Sequence, residues 1–176
     1  MRSPLSPLSP LSPLSPFSLL VAVVPFVLAP MTSVSAQAAE LPLSNDVRIM
    51  PATRLAAIAD SMPGAVSSRQ LARFPELSGM VTRRDSAGVP ERHARFADVF
   101  FVERGTARLR YGGTTDDARE ISAGEWRGGT IRNGTEADLH GGDVVVIPAG
   151  IPHQLLLTAG QRFDYVTLKV PKATAP

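Results

Sequence analysis

The segment from residue 142 to residue 157 constrains the fold more than any other part of this chain. It opens with a Gly-Asp turn signal, continues with Val-Val-Val-Ile over residues 144–147, and then reads Pro-Ala-Gly over residues 148–150. A short β-branched run bounded by turn residues is typical of a buried strand, and Pro-x-Gly favours a tight turn. The chain re-enters an apolar run at His153. The segment therefore predicts two short strands, with a histidine at the start of the second.

Short strand-like runs of this kind recur along the chain. They are Leu77–Arg84, Val99–Val102, Ala107–Tyr111 and Phe163–Val170. The Arg-Gly-Thr sequence at 104–106 separates two of them and predicts a hairpin. Only residues 52–62, which end before Pro63, show the spacing of a short helix. Many short strands with almost no helix predict an all-β barrel or sandwich.

The N-terminus has the features of an export signal. Residues 3–16 repeat Ser-Pro-Leu, residues 17–29 form a short apolar run, and Ala36-Gln37-Ala38 matches a signal-peptidase site. We expect a signal peptide over residues 1–38, and hence a periplasmic or secreted protein with no membrane association after cleavage. A misplaced start codon upstream of a normal signal is the alternative explanation of the proline repeat, and it leaves the prediction of export unchanged.

Composition narrows the chemistry of the remainder. The 176 residues include no cysteine, which excludes disulfides, thiolate metal ligands and cysteine nucleophiles. The 18 Lys and Arg residues nearly balance 16 Asp and Glu residues, which gives no support to nucleic-acid binding. The chain also lacks Gly-x-Ser-x-Gly, a phosphate-binding glycine loop and His-Glu-x-x-His.

The candidate site begins at Glu91. Glu91 and His93 are two positions apart, so they point to one side of an extended chain, and Asp98 follows at the head of a Val-Phe-Phe-Val run. Carboxylates and imidazoles are ligands for divalent metals. If Asp98 and His153 face the barrel interior, alternation also predicts an apolar lining. That lining is Phe100, Val102, Val144, Val146 and Leu155.

These two segments together resemble the paired motifs of the cupin superfamily. His93 stands in the second histidine slot of the first motif, Asp98 stands in the glutamate slot, and Gly105 matches the closing glycine. The second motif, Gly, five residues, Pro-x-Gly, two residues, His, is met from Gly142 to His153. Glu91 replaces the first histidine and Leu157 replaces the final asparagine, and the spacer between the motifs is long.

The resemblance implies a double-stranded antiparallel β-barrel over residues 77–176, preceded by an arm with a short helix over residues 39–76. It implies a divalent metal (Fe, Mn, Ni or Zn) in the barrel mouth and a homodimer formed through barrel edges and arms. The ligand slots carried over are Glu91, His93, Asp98 and His153, with Glu91 either a ligand or a catalytic base.

The function implied is that of a metal-dependent enzyme, of dioxygenase or isomerase type, acting on a small oxygenated molecule held in the barrel. A non-catalytic binding module for a small molecule or metal, and a metal-free dimeric structural domain, are the alternatives, since one fold hosts many activities.

Five further residues lie outside the ligand slots. Arg83 and Arg84 fit either an anionic ligand or a solvated strand edge, and we expect the edge. Trp126 either lines a pocket or caps a barrel end, and we expect a cap. His140 is expected at the surface, and Asp143 is expected to accept a local backbone hydrogen bond.

Overall fold

The computed structural model describes residues 47–173, so the signal peptide expected over residues 1–38 lies outside the described residues. Within that range the chain forms one helix and twelve strands. They are α1 (Ala52–Ser61), β1 (Val66–Phe74), β2 (Leu77–Arg84), β3 (Glu91–His93), β4 (Phe96–Tyr111), β5 (Thr114–Asp116), β6 (Arg119–Ser122), β7 (Glu125–Arg127), β8 (Thr130–Arg132), β9 (Thr135–His140), β10 (Val144–Ile147), β11 (His153–Leu156) and β12 (Phe163–Pro171).

The strands form two antiparallel layers that share β4. The first half of β4 lies between β12 and β10, and beyond β12 the layer continues through β2 to β1. The second half lies between β9 and β11, and beyond β11 the other layer continues through β3 and β7 to β6. Strands β5 and β8 form a separate small ladder. The prediction of an all-β antiparallel barrel of jelly-roll type with one short helix is confirmed.

The hairpin predicted around residues 104–106 is wrong, because β4 is one bent strand. Gly105 lies at the bend with φ +87°, and a Cβ there would lie 1.8 Å from the carbonyl oxygen of Arg162. The first half of β4 pairs with β12 up to Gly105, and pairing with β9 begins at Thr106. The glycine therefore signals a corner between the two layers and not a reversal of the chain.

The barrel interior contains one apolar cluster with contributions from both layers. Its buried members are Phe100, Val102, Ala107, Leu109, Leu139, Ile147, Leu155, Phe163 and Tyr165. The prediction that Val144 and Val146 face inward is wrong, since they are 58% and 64% exposed. Ile147 pairs with the inward-facing Asp98, so alternation along β10 turns Val145 inward and its two neighbours outward.

Helix α1 covers the outer face of the first layer. Its buried residues Ile58 and Ala59, with Met62 just beyond, pack on Val81 of β2. Burial of a side chain such as Ile58 contributes about 1.5–3 kcal/mol. The predicted helix at 52–62 is confirmed.

Two features bear on the predicted arm and on membranes. Strand β1 falls within residues 39–76, yet it pairs along β2 as the last strand of the first layer.

No helix between residues 47 and 173 combines the length and apolar character needed to cross a bilayer.

Candidate metal centre

Three potential ligands meet where β3 and β11 run side by side. Glu91 and His93 lie on the same side of β3, and His153 is the cross-strand partner of Glu91. One ligand atom from each of the three lies within 4.8 Å of the others. The imidazole centroids of the two histidines are 5.4 Å apart, and both side chains are buried. Pairing of the two strands therefore assembles residues that are 60 positions apart in the sequence.

Each histidine has its Nδ1 engaged by the surrounding protein. His93 Nδ1 is hydrogen-bonded to a carboxylate oxygen of Glu125, and His153 Nδ1 lies 3.1 Å from the carbonyl oxygen of Ile151. A ring that donates from Nδ1 keeps its lone pair on Nε2, which is the arrangement that metal-binding histidines use. His93 Nε2 is buried and makes no hydrogen bond of good geometry among residues 47–173, although a carboxylate oxygen of Asp98 lies 3.2 Å away. A metal ion would satisfy this nitrogen, so the residues fit one.

Asp98 lies next to the imidazole rings of both histidines. Its Oδ2 is 3.2 Å from Nε2 of His93 and 3.5 Å from Nε2 of His153, and its Oδ1 accepts a hydrogen bond of 2.8 Å from Lys169. Burial alone would raise the pKa of Asp98, but the two imidazoles and the ammonium group outweigh burial and hold this pKa far below its usual range. Asp98 is therefore a carboxylate at neutral pH, able to coordinate a metal or to balance its charge.

The pKa of His93 is set by opposing effects. Burial lowers it, whereas the close approach and charge of Asp98 and the hydrogen bond to Glu125 raise it, and the net direction is upward. A proton and a metal ion would compete for the same Nε2, since a ligating imidazole must be neutral.

The two oxygens of Glu91 have different surroundings. Oε2 lies 3.6 Å from His93 Nε2, facing the other candidate ligands. Oε1 accepts a hydrogen bond of 2.8 Å from Arg127 Nη1, and Arg84 Nη2 lies 3.9 Å from the same oxygen. One oxygen is thus held by a guanidinium group while the other is available to a metal. Glu91 therefore fits the role of a ligand, although it replaces the histidine expected at this position of the motif.

A cavity of about 240 Å³ adjoins these residues. Glu91, Asp98 and His153 line it together with Arg84 and Lys169, and apolar side chains complete its walls. It is smaller than the roughly 300–1,000 Å³ of a typical site for a drug-sized ligand. A mixed polar and apolar cavity of this size beside a metal centre suits a small molecule.

The remaining sequence interpretations have mixed outcomes. The side chain of His140 is 66% exposed, and Asp143 accepts a hydrogen bond of 2.7 Å from the backbone N–H of His140, so both expectations are confirmed. Trp126 does not line the cavity, and its ring stacks on the guanidinium of Arg92 at 3.7 Å. The solvated strand edge expected for Arg84 is wrong, because β2 lies between β1 and β12 and the arginine lines the cavity.

Sequence reasoning missed three residues that hold the candidate ligands. Glu125 and Arg127 lie on β7, in the long spacer between the two motifs, and pairing of β7 with β3 sets Glu125 opposite His93 and Arg127 opposite Glu91. Lys169 reaches Asp98 because β12 pairs those two positions. No local signal marks these residues, since their role depends on cross-strand register.

Comparison with solved structures identifies the architecture. A cupin superfamily protein from Desulfitobacterium hafniense matches with a TM-score of 0.50 and 17% identity, over 75% of this chain and 100% of that one. The chain has the cupin fold. An uncharacterised double-stranded β-helix protein from Klebsiella pneumoniae matches with a TM-score of 0.51 and 16% identity, over 74% and 95% of the two chains.

A protein from Bacillus halodurans also matches, with a TM-score of 0.53 and 12% identity over 77% of this chain and 89% of that one. No family model matches the sequence, and no curated protein matches it. At sequence identities this low, structural similarity shows only that the fold is shared. The function of this chain must therefore be argued from its own side chains.

Proposed function

We propose that this chain binds one divalent transition-metal ion in the barrel mouth and acts as a metal-dependent enzyme on a small oxygenated molecule. His93, His153 and Glu91 would hold the ion, with Asp98 as a fourth ligand or a balancing charge. Two imidazoles with one or two carboxylates suit Fe(II), Mn(II), Ni(II) or Zn(II). The observation that carries the proposal is the buried Nε2 of His93, which faces the carboxylates of Glu91 and Asp98 but makes no hydrogen bond of good geometry among residues 47–173, in a ring whose Nδ1 is already held by Glu125.

The chemistry supplied by such an ion is Lewis-acid polarisation or oxygen activation, which fits a dioxygenase or an isomerase. The protein's own part is positioning. Glu125 and Ile151 fix the two imidazole rings, and Lys169 fixes Asp98. Glu91 keeps one oxygen toward the centre and is the candidate base when it is not a ligand. Phe100, whose ring centroid is 6.3 Å from that of His153, makes one wall of the cavity apolar.

Elemental analysis of the protein purified without chelators or a histidine tag tests the proposal. We expect near-stoichiometric metal in the wild type and none in a His93→Ala, His153→Ala double variant. His140→Ala is the matched control, because that histidine is exposed and does not line the cavity. Circular dichroism would verify folding of each variant. Absence of metal from the wild type, even after reloading, would refute the proposal.

One observation favours a metal-free binding module as the second candidate. Lys169 pairs with Asp98 and Arg127 pairs with Glu91, so both carboxylates have counter-charges without an ion. This reading predicts that a small molecule binds without chemical change and that chelators leave its affinity unaltered. Loss of ligand binding on chelation would exclude it.

A homodimer is proposed for the outer face of the first layer. Phe101, Val144 and Val146 lie side by side there, and all three are exposed. Exposed apolar patches of this kind favour association with another surface. Light scattering should give twice the chain mass for the wild type and a monomer for Val146→Glu, whereas a monomeric wild type would refute the proposal.

Export to the periplasm or medium is also proposed, on the sequence of residues 1–38 alone. N-terminal sequencing of the secreted protein should begin after Ala38, and retention of residue 1 would count against export through this signal.

A further inference from the structure

We propose that the cavity beside the metal centre receives a small organic carboxylate, and that Arg84 is the residue that binds its carboxylate group. This inference deepens the proposed function and rests on it, because the second contact of the ligand would be the metal. The class of ligand is an organic acid with a second oxygen donor close to its carboxylate.

Arg84 is held so that its guanidinium faces the cavity. It is the last residue of β2, its side chain is only 12% exposed, and its Nε donates a hydrogen bond of 3.1 Å to the hydroxyl of Tyr165. On the other side the chain passes at Gly88, where a Cβ would lie 2.8 Å from Arg84 Nη1. Gly88 is itself fixed, since its N–H donates to the carbonyl of Leu155 and its carbonyl accepts from the side chain of Gln154. The guanidinium is therefore preorganised.

Most of the donors of this guanidinium are unused. Among residues 47–173, its only hydrogen bond is the one to Tyr165, and the 3.9 Å between Nη2 and Glu91 Oε1 is too long for another. The neighbouring arginines differ. Arg127 donates to Glu91 at 2.8 Å, and Arg83 donates to Asp85 and to a backbone carbonyl. A largely buried guanidinium with free N–H groups is a ready partner for a carboxylate, which it binds by two parallel hydrogen bonds.

The charges around the cavity favour an anion once a metal is bound. The cations are Arg84, Arg127 and Lys169, and the carboxylates are Glu91, Asp98 and Glu125. Three of each sign balance in the protein alone, so a divalent ion leaves two surplus positive charges in a partly buried site. An anionic ligand would remove that surplus, whereas a neutral ligand would leave it uncompensated.

The dimensions of the site limit the size of the acid. The cavity is about 240 Å³, and Arg84 Nη2 lies only 3.9 Å from Glu91, itself a candidate ligand. A molecule of few atoms can therefore contact the guanidinium and the metal together. Val89 and Phe100 line the same cavity and offer apolar contact to a short carbon skeleton.

Calorimetric titration with malonate tests the inference, with uncharged malonamide as the matched ligand. The protein would be loaded with Zn(II), which is redox-inert, and its metal content measured for every variant. We expect the loaded wild type to bind malonate and not malonamide. Arg84→Gln should weaken malonate binding by about tenfold to hundredfold, since it removes a charge-assisted pair. The malonate affinity of Arg84→Lys should lie between those of the wild type and Arg84→Gln, because lysine keeps the charge but lacks the planar guanidinium.

Arg83→Gln is the matched control, since it changes the adjacent residue of the same strand, whose guanidinium binds outside the cavity. It should bind malonate as the wild type does. If loaded Arg84→Gln binds malonate within about twofold of the wild type, or if malonamide binds equally well, the inference is overturned while the metal site stands. If the wild type takes up no Zn(II), the proposed function fails and the inference fails with it. Thermal melting distinguishes misfolding from loss of the ligand contact, and Arg84→Lys carries the test if Arg84→Gln does not fold.

Discussion

Replacing Glu125 by glutamine should weaken metal binding without removing a ligand. Glu125 touches the centre only through Nδ1 of His93, to which it is hydrogen-bonded across the β3–β7 pair. Glutamine keeps the size and an acceptor oxygen but loses the negative charge. The imidazole would then be a poorer donor of its Nε2 lone pair and less firmly oriented.

The size of the effect follows from burial. A hydrogen bond to a charged group contributes about 1.5–3 kcal/mol, and His93 is only 3% exposed, which favours the upper part of that range. Glu125 is 21% exposed, so solvent screens part of its charge and the lower part is more appropriate. At about 1.4 kcal/mol for each factor of ten, we expect the affinity for Zn(II) to fall by about 10-fold to 30-fold.

The assay is competition for Zn(II) against a chromophoric chelator, with folding followed by circular dichroism. Glu120→Gln is the matched control, because Glu120 lies on the adjacent strand β6 and accepts a hydrogen bond of 2.8 Å from the N–H of Gly124, away from the histidines. It should leave the affinity unchanged. If Glu125→Gln binds Zn(II) within about twofold of the wild type, Glu125 does not orient or activate His93 and the reasoning is refuted.

Three further predictions concern the framework. Gly105→Ala should lower the unfolding free energy by at least about 3 kcal/mol, because the added Cβ clashes with the backbone and the φ is unfavourable for alanine. Gly112→Ala, with φ +76° and open space around it, should lower it by only about 1–2 kcal/mol. Chemical denaturation measures both values, and equal losses would contradict the prediction. Asp164→Asn should lower the unfolding free energy by about 2–3 kcal/mol, since it removes the buried carboxylate shared by Arg104 and Arg162, and a loss below about 0.5 kcal/mol would show that Asp60 and solvent satisfy both arginines. Val146→Thr should change stability by less than about 0.5 kcal/mol at protein concentrations low enough to give the monomer, since this side chain is 64% exposed, and a larger loss there would show that Val146 packs within its own chain.

The parts of the fold that follow from local pattern were predictable. The runs at 77–84 and 163–170 become β2 and β12, and the helix pattern at 52–62 becomes α1. Errors arose where tertiary register decides. Arg-Gly-Thr at 104–106 has the composition of a hairpin turn, but the chain continues as one strand because β12 and β9 pair with its two halves. Alternation along β10 shows that Val145 faces the opposite side from Val144 and Val146, but not which side is the interior. The pairing of Ile147 with Asp98 decides that Val145 faces inward.

The ligand residues of the candidate site could be predicted from the sequence, but the residues that hold them could not. Glu91 and His93 were expected to share a side of one strand, and the structure brings them together with His153 and Asp98. What the sequence could not supply is the set of groups that hold those residues. These groups are distant in sequence and contribute by pairing across strands, so no spacing rule reveals them.

The long spacer between the two motifs acquires a role from this pairing. Strand β7 lies inside the spacer, and it sets Glu125 against His93 and Arg127 against Glu91. Both partners act on the two positions of β3 that carry candidate ligands, one of them a carboxylate in place of an imidazole. A carboxylate swings more freely than a ring, and the hydrogen bond from Arg127 restrains it by fixing one of its oxygens. The substituted slot and strand β7 therefore form one arrangement, in which the arginine supplies the orientation that a histidine would have had from its own ring.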